Sequence, residues 1–113
     1  MSNAIDIALT ALRTFERKND VIANNIANVN TDGFKKIHAD MIQTTLPGVA
    51  VSPQRVNTPG DTVTINGVER ETSNVNPEEE LMALMVNQRS YEANLLTVKT
   101  TQEMQGTLFD ILG

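Results

Sequence analysis

Asn28, Asn30 and Asp32 stand two residues apart, and Gly33 follows them. Oxygen-bearing side chains at alternate positions, closed by a glycine, are how an EF-hand calcium loop begins. Its positions 1, 3 and 5 present ligands, and the glycine at position 6 allows a sharp turn. The rest of the loop fails. Position 12 requires a bidentate Glu and holds Ala39, while positions 8 and 9 are Lys35 and Lys36, which bring positive charge toward the ion. Asp32 alone is too little negative charge for a divalent cation.

The other reactive side chains also lack company. His38 is the one histidine and there is no cysteine, so neither a zinc set nor a nucleophile–histidine pair can be assembled. Glu78, Glu79 and Glu80 are consecutive, and on a helix they point in different directions. They suit the positive end of a helix dipole better than a shared carboxylate site. No glycine-rich phosphate cradle is present. The residues predict no enzyme, no metal and no cofactor.

The elements that carry these residues are mainly helical. Ile5, Ala8, Leu12, Phe15, Asn19, Ile22, Ile26 and Val29 are spaced alternately by three and four, a heptad seam with one polar member. A second helix starts at Asn76 as N-cap, Pro77 at the first helical position and the three glutamates after it. Its expected seam is Leu81, Leu84, Gln88, Tyr91, Leu95 and Val98. The pattern breaks at Gln102 and Gln105, and apolar residues resume at Met104, Leu108, Ile111 and Leu112, which reads as a stutter or a frayed end.

Between the helices the character changes. Asn66-Gly67 inside "TVTINGVERE" is a hairpin signal. Residues 34–45 read as a short helix or an extended arm that stops before Pro47. The expected fold is mainly α: long terminal helices pairing as a coiled coil, with a small hairpin or loop in the middle. The expected divisions are 1–36 for the first helix and its Asn-rich turn, 37–72 for a middle arm, and 73–113 for the second helix.

A chain of 113 residues with net charge −5 and no tryptophan predicts one domain with a small aliphatic core, and not a nucleic-acid binder. Residues 1–36 hold five basic and four acidic side chains, and residues 77–113 hold two and six, so the two ends are mildly complementary. No apolar run is long enough to span a membrane and no cleavable secretory signal is visible.

Four asparagines within residues 24–30 would weaken a helix, because their amides compete for backbone groups. Asn28 or Asn30 can end the first helix, and Thr31-Asp32-Gly33 can turn the chain if Gly33 takes positive φ. Asn24 and Asn28 share a face beside Asn25 and could serve the second helix or another subunit.

"ANNIANVNTDGFKK" (23–36) closely resembles the N-terminal signature of the bacterial flagellar rod and hook family. "SNVNPEEELMALMVNQRSYEANLLTVKTTQEMQGTLFDIL" (73–112) resembles that family's C-terminal segment. The resemblance implies a structural rod subunit of the flagellar axial assembly, serving motility. It implies self-association, contact with other rod and hook subunits, and passage through the flagellar type III export apparatus without a cleavable signal. The implied location is the basal body, in the rod that crosses the periplasm. The implied assembly residues are Asn24, Asn25, Asn28, Asn30, Gly33 and Phe34 in the first motif. In the second they are Gln88, Arg89, Tyr91, Glu92 and Asn94. The chain is at the short end even for rod subunits. The competing expectation is a soluble helical adaptor or export chaperone of the same system.

Overall fold

The computed structural model describes residues 2–112, and side chains from residue 4 onward. Helix α1 runs Ser2–Ala27 and helix α2 runs Pro77–Leu112. Neither Gly nor Pro interrupts α1, and α2 contains one glycine, Gly106. The start of α2 follows the expected chemistry: Asn76 Oδ1 accepts from the backbone N–H of Glu78 at 3.0 Å and of Glu79 at 3.4 Å.

The helices pair antiparallel. Asn25 of α1 meets Glu80 of α2, Phe15 meets Asn87, and Ala8 and Leu12 pack with Val98. Tyr91 lies against that last cluster, and its hydroxyl reaches Glu16 at 3.4 Å. In α1 the expected seam is largely the buried side, with Ala8, Leu12 and Ile22 buried and Asn19 exposed.

In α2 the seam needs correction. Leu84, Tyr91 and Val98 face inward, but Leu81, Gln88 and Leu95 are exposed. Their places are taken by Asn87 and Asn94, and the inward line continues through Thr101 and Gln105. That line keeps the three-four spacing without a stutter, and α2 is continuous to Leu112. A count of apolar residues misses it because four of its seven members, Asn87, Asn94, Thr101 and Gln105, are polar. Asn87 earns its buried place by donating Nδ2 to Phe15 O at 2.8 Å.

The middle forms two antiparallel hairpins. Strands β1 (Ile37–Gln43) and β2 (Val49–Arg55) make the first, and β3 (Thr62–Ile65) and β4 (Val68–Glu71) the second. The second turns at Asn66 (φ 53°) and Gly67 (φ 77°), as Asn-Gly in a two-residue turn requires. The first corrects the reading of residues 34–45 as a short helix or arm. Ile37, Ala39 and Met41 alternate inward, the strand period. Bonds from Val56 N to Lys36 O and from Thr44 N to Gly48 O fix which pairs exchange hydrogen bonds. Pro53, opposite Ala39, falls on a pair that needs none, which is why a proline fits there.

The molecule is long and thin, 78 × 26 × 13 Å. Its radius of gyration is 19.9 Å, against about 13 Å for a compact chain of this length. Its accessible surface is 8042 Å², against roughly 6,100 Å² for a compact monomer of 12.4 kDa. Among the described residues six apolar ones are buried, namely Ala8, Leu12, Ile22, Ala39, Val75 and Val98. A core that small leaves much apolar surface facing solvent.

Candidate assembly surface

The Asn-rich stretch divides its labour. Asn25 is 1% exposed and pins the first hairpin. Its Nδ2 donates to Ile37 O at 2.8 Å, and its Oδ1 accepts from Ile37 N at 3.0 Å. Ile37 occupies a position whose backbone groups point away from β2, so the amide acts as a short substitute for a third strand. At the other end of the hairpin, Thr14 Oγ1 donates to Val49 O at 3.0 Å and Val49 N donates to Thr10 Oγ1 at 3.3 Å. One face of α1 thus holds both outer edges of the hairpin through side chains.

Asn24 and Asn28 bond to each other: Asn28 Nδ2 donates to Asn24 O at 2.9 Å and to Asn24 Oδ1 at 3.3 Å. This closes the helix end without a left-handed asparagine at position 28 or 30, a correction to the expected stop. Asn30 is exposed. Gly33 has φ of 71° and donates its N–H to Glu71 O at 2.9 Å. Half-buried Phe34 accepts from Asn74 N at 3.2 Å.

Two contacts then fasten the second hairpin to this turn. Arg70 donates Nε and Nη2 to Asp32 Oδ2 at 2.9 and 2.6 Å. The carboxylate of the calcium-like pattern is therefore an ion-pair partner. Lys35 pairs with Glu71, which also accepts from Gly60 N at 3.1 Å. The Lys35 hydrogen bond, then the Gly60 N–H, then the Lys35 charge hold the Glu71 carboxyl below its usual range. Asn74 was missed as a candidate. Its Oδ1 accepts from Lys36 N at 2.7 Å and its Nδ2 donates to Val56 O at 2.9 Å, joining the hairpins. Asn25 lies in the last turn of α1 and Asn74 just before the N-cap of α2, and each offers both a donor and an acceptor.

The second motif is split between inside and outside. Tyr91 and Asn94 lie half-buried on the side toward α1, so Asn94 is not off the seam as expected. Gln88, Arg89 and Glu92 are exposed, with Gln88 donating to Glu92 at 3.4 Å. Arg89 also sits within a second stripe that sequence reasoning passed over. Met82, Val86, Arg89, Ala93, Leu96, Thr100 and Met104 repeat at three and four along the side of α2 that faces away from α1, all exposed. Met82 is 67% exposed and Leu96 63%. Helix α2 thus has two opposite stripes, and the outward one is the more apolar. Between the helices, Phe15, Leu84 and Tyr91 line a groove of about 450 Å³. Asn87 lines it too, and its buried Oδ1 has no donor among the described residues.

Comparison with known proteins bears on these two motifs. Residues 70–111 match the family model described as flagellar basal body rod FlgEFG protein C-terminal. Residues 5–35 match that described as flagella basal body rod protein. The chain is similar to the flagellar basal-body rod protein FlgG of Bacillus subtilis (strain 168), with 43% identity over 51 residues, covering 42% of this chain and 19% of that protein. It is also similar to the flagellar basal-body rod protein FlgF of Caulobacter vibrioides (strain ATCC 19089 / CIP 103742 / CB 15). There identity is 51% over 35 residues, covering 31% of this chain and 14% of that protein. The chain spans less than a fifth of the length of either relative.

Proposed function

We propose that this chain, which belongs to the flagellar basal-body rod family by both its terminal segments, is a structural and non-catalytic subunit of the rod. The observation that carries the reading is the outward stripe of α2. An antiparallel helix pair has spent one face of α2 on α1 and still presents a second apolar face, of which Met82, Val86, Leu96 and Met104 are large and exposed. Exposed apolar stripes of this extent mark contact sites. In the rod, this stripe packs on neighbouring helices and completes a coiled coil that the lone pair leaves unfinished. The groove beside Tyr91 offers the Asn87 oxygen to a donor from a neighbour.

The division of labour follows the three parts. The helices of residues 1–36 and 73–113 form the inner, assembling unit, and residues 37–72 form an arm whose first hairpin lies against α1 and whose second is fastened to the turn after it. Its partners are copies of itself and other rod and hook subunits, and its route is the type III export apparatus. Gold labelling of this chain in purified basal bodies tests the reading. Label confined to the rod supports it. Label absent from basal bodies, with the protein recovered one-to-one on a secreted client in the cytoplasm, replaces it with an export chaperone.

A further inference from the structure

The β3–β4 hairpin has two unlike faces. Its register pairs Ile65 with Val68 and Val63 with Arg70, and these share one side. Thr62, Thr64, Glu69 and Glu71 share the other. The apolar side is uncovered, with Val68 60% exposed, and a two-stranded hairpin has little stability of its own. Arg70 ties that side to Asp32 of the Asn-rich turn.

A second uncovered apolar surface lies at the far end of the molecule. Opposed residues of the helix pair have numbers that add to roughly 106, as Ala8 with Val98 and Asn25 with Glu80, so α1 runs out near Met104. The last turns of α2 continue past it. Phe109 is 71% exposed there, and Ile111 and Leu112 are as bare.

We infer that the apolar face of the β3–β4 hairpin in one copy of this chain receives the last turns of α2 from the next copy. This inference rests on the rod-subunit reading and names one of its contacts. The two surfaces cannot meet within one molecule. Helix α2 is about 54 Å long at ~1.5 Å per residue, and it holds them toward opposite ends of a 78 Å body. Joining unlike ends of successive copies is a heterologous contact, which extends into an open row and does not close. Arg70, the one charged side chain on the apolar hairpin face, directs Nε and Nη2 at Asp32 and is half exposed, so its outer edge can also meet Asp110, which lies between Phe109 and Ile111. Both surfaces are small, one face of a hairpin with four residues in each strand and the last turns of one helix, whereas a stable stand-alone interface needs ~1,000 Å². The contact is therefore weak between free subunits and holds when lateral neighbours, on the outward stripe of α2, add to it.

The chain has no cysteine, so introduced thiols report this contact alone. Two full-length single variants, Val68→Cys and Phe109→Cys, are purified, checked for wild-type melting, concentrated and oxidised separately and as a mixture. Ile65→Cys replaces Val68→Cys if the latter melts early. The expected result is a disulfide heterodimer in the mixture, little or no dimer in either single variant, and a ladder of multimers from the chain carrying both cysteines. Phe109→Cys dimers as abundant alone as in the mixture overturn the proposal in favour of tip-to-tip pairing. No cross-link in a mixture of well-folded variants at the highest soluble concentration also overturns it. A ladder from a chain that is absent from basal bodies keeps the contact and removes the rod reading, so the two failures are distinct.

Discussion

Asn25 and Ile37 are joined through both amide atoms of one side chain, which donates to the Ile37 carbonyl and accepts from the Ile37 N–H. Asn25 is almost fully buried, so nothing else on α1 can replace these bonds. Asn25→Ala leaves both Ile37 groups unpaired and should cost about 2–4 kcal/mol. Asn25→Asp should be at least as damaging, since it removes the donor and sets a carboxylate beside Glu80. Asn24→Ala, at an exposed neighbouring position, should stay within ~0.5 kcal/mol. Urea denaturation of the three variants checks this ordering; equal effects at positions 24 and 25 would contradict it.

The glycines of the arm differ in why they are needed. A Cβ on Gly60 would lie 2.0 Å from the backbone oxygen of Thr72. Backbone must move to admit it, so Gly60→Ala should detach the base of the β3–β4 hairpin. Gly33 meets nothing within 4 Å and is constrained only by its positive φ. Gly33→Ala should therefore cost about 1 kcal/mol, as left-handed backbone does for other residues. Amide exchange of residues 62–71 reads the difference: fast exchange in the Gly60 variant and near-native protection in the Gly33 variant.

Acid should loosen the same hairpin. Glu71 is held charged by Lys35 and by the Gly60 N–H, so its folded pKa is depressed. A depressed carboxylate stabilises the fold above its unfolded pKa, and that stabilisation is lost as pH falls through the folded value. Protection of the Gly60 amide should fall through the acidic carboxylate range in the wild type. In Glu71→Gln it should be lower at neutral pH and change less. Parallel pH curves for the two proteins would rule out this role for Glu71.

How much of this was legible in the residues differs by element. Asn76-Pro77 with its glutamates announced the start of α2, and Asn66-Gly67 announced the second hairpin. Strand β1 was hidden because His38, Ala39 and Asp40 are weak strand formers, and the strand is held by a side chain twelve positions earlier. The phase of the α2 seam was hidden because its inward line includes the polar Asn87 and Asn94, and Asn87 is held there by a bond to Phe15 O that a hydrophobic count does not see. Of the motif positions, Asn25 and Tyr91 serve the subunit's own fold, whereas Arg89 and Asn30 are left on its surface.

That phase has its own test. Val98 is buried against Ala8 and Leu12, so Val98→Asp places an unpaired charge in the small core and should cost at least ~3 kcal/mol. Leu95 is about half exposed, and Leu95→Asp should cost under about 1 kcal/mol in the free subunit. Thermal melts of both variants decide between the observed seam and the one that hydrophobic spacing alone suggests.

The most direct measurement of the assembly claim is the amount of a stripe variant built into basal bodies, set beside the stability of the same purified protein. Leu96→Asp and Arg89→Glu both lie on the outward stripe of α2, far from α1. Each should melt as the wild type does, within the ~0.5 kcal/mol typical of exposed sites. In cells that depend on the variant, basal bodies should lack it, the rod should be incomplete, and the cells should not swim. Complete basal bodies containing either variant at wild-type levels, from motile cells, would contradict the claim that this stripe joins subunits.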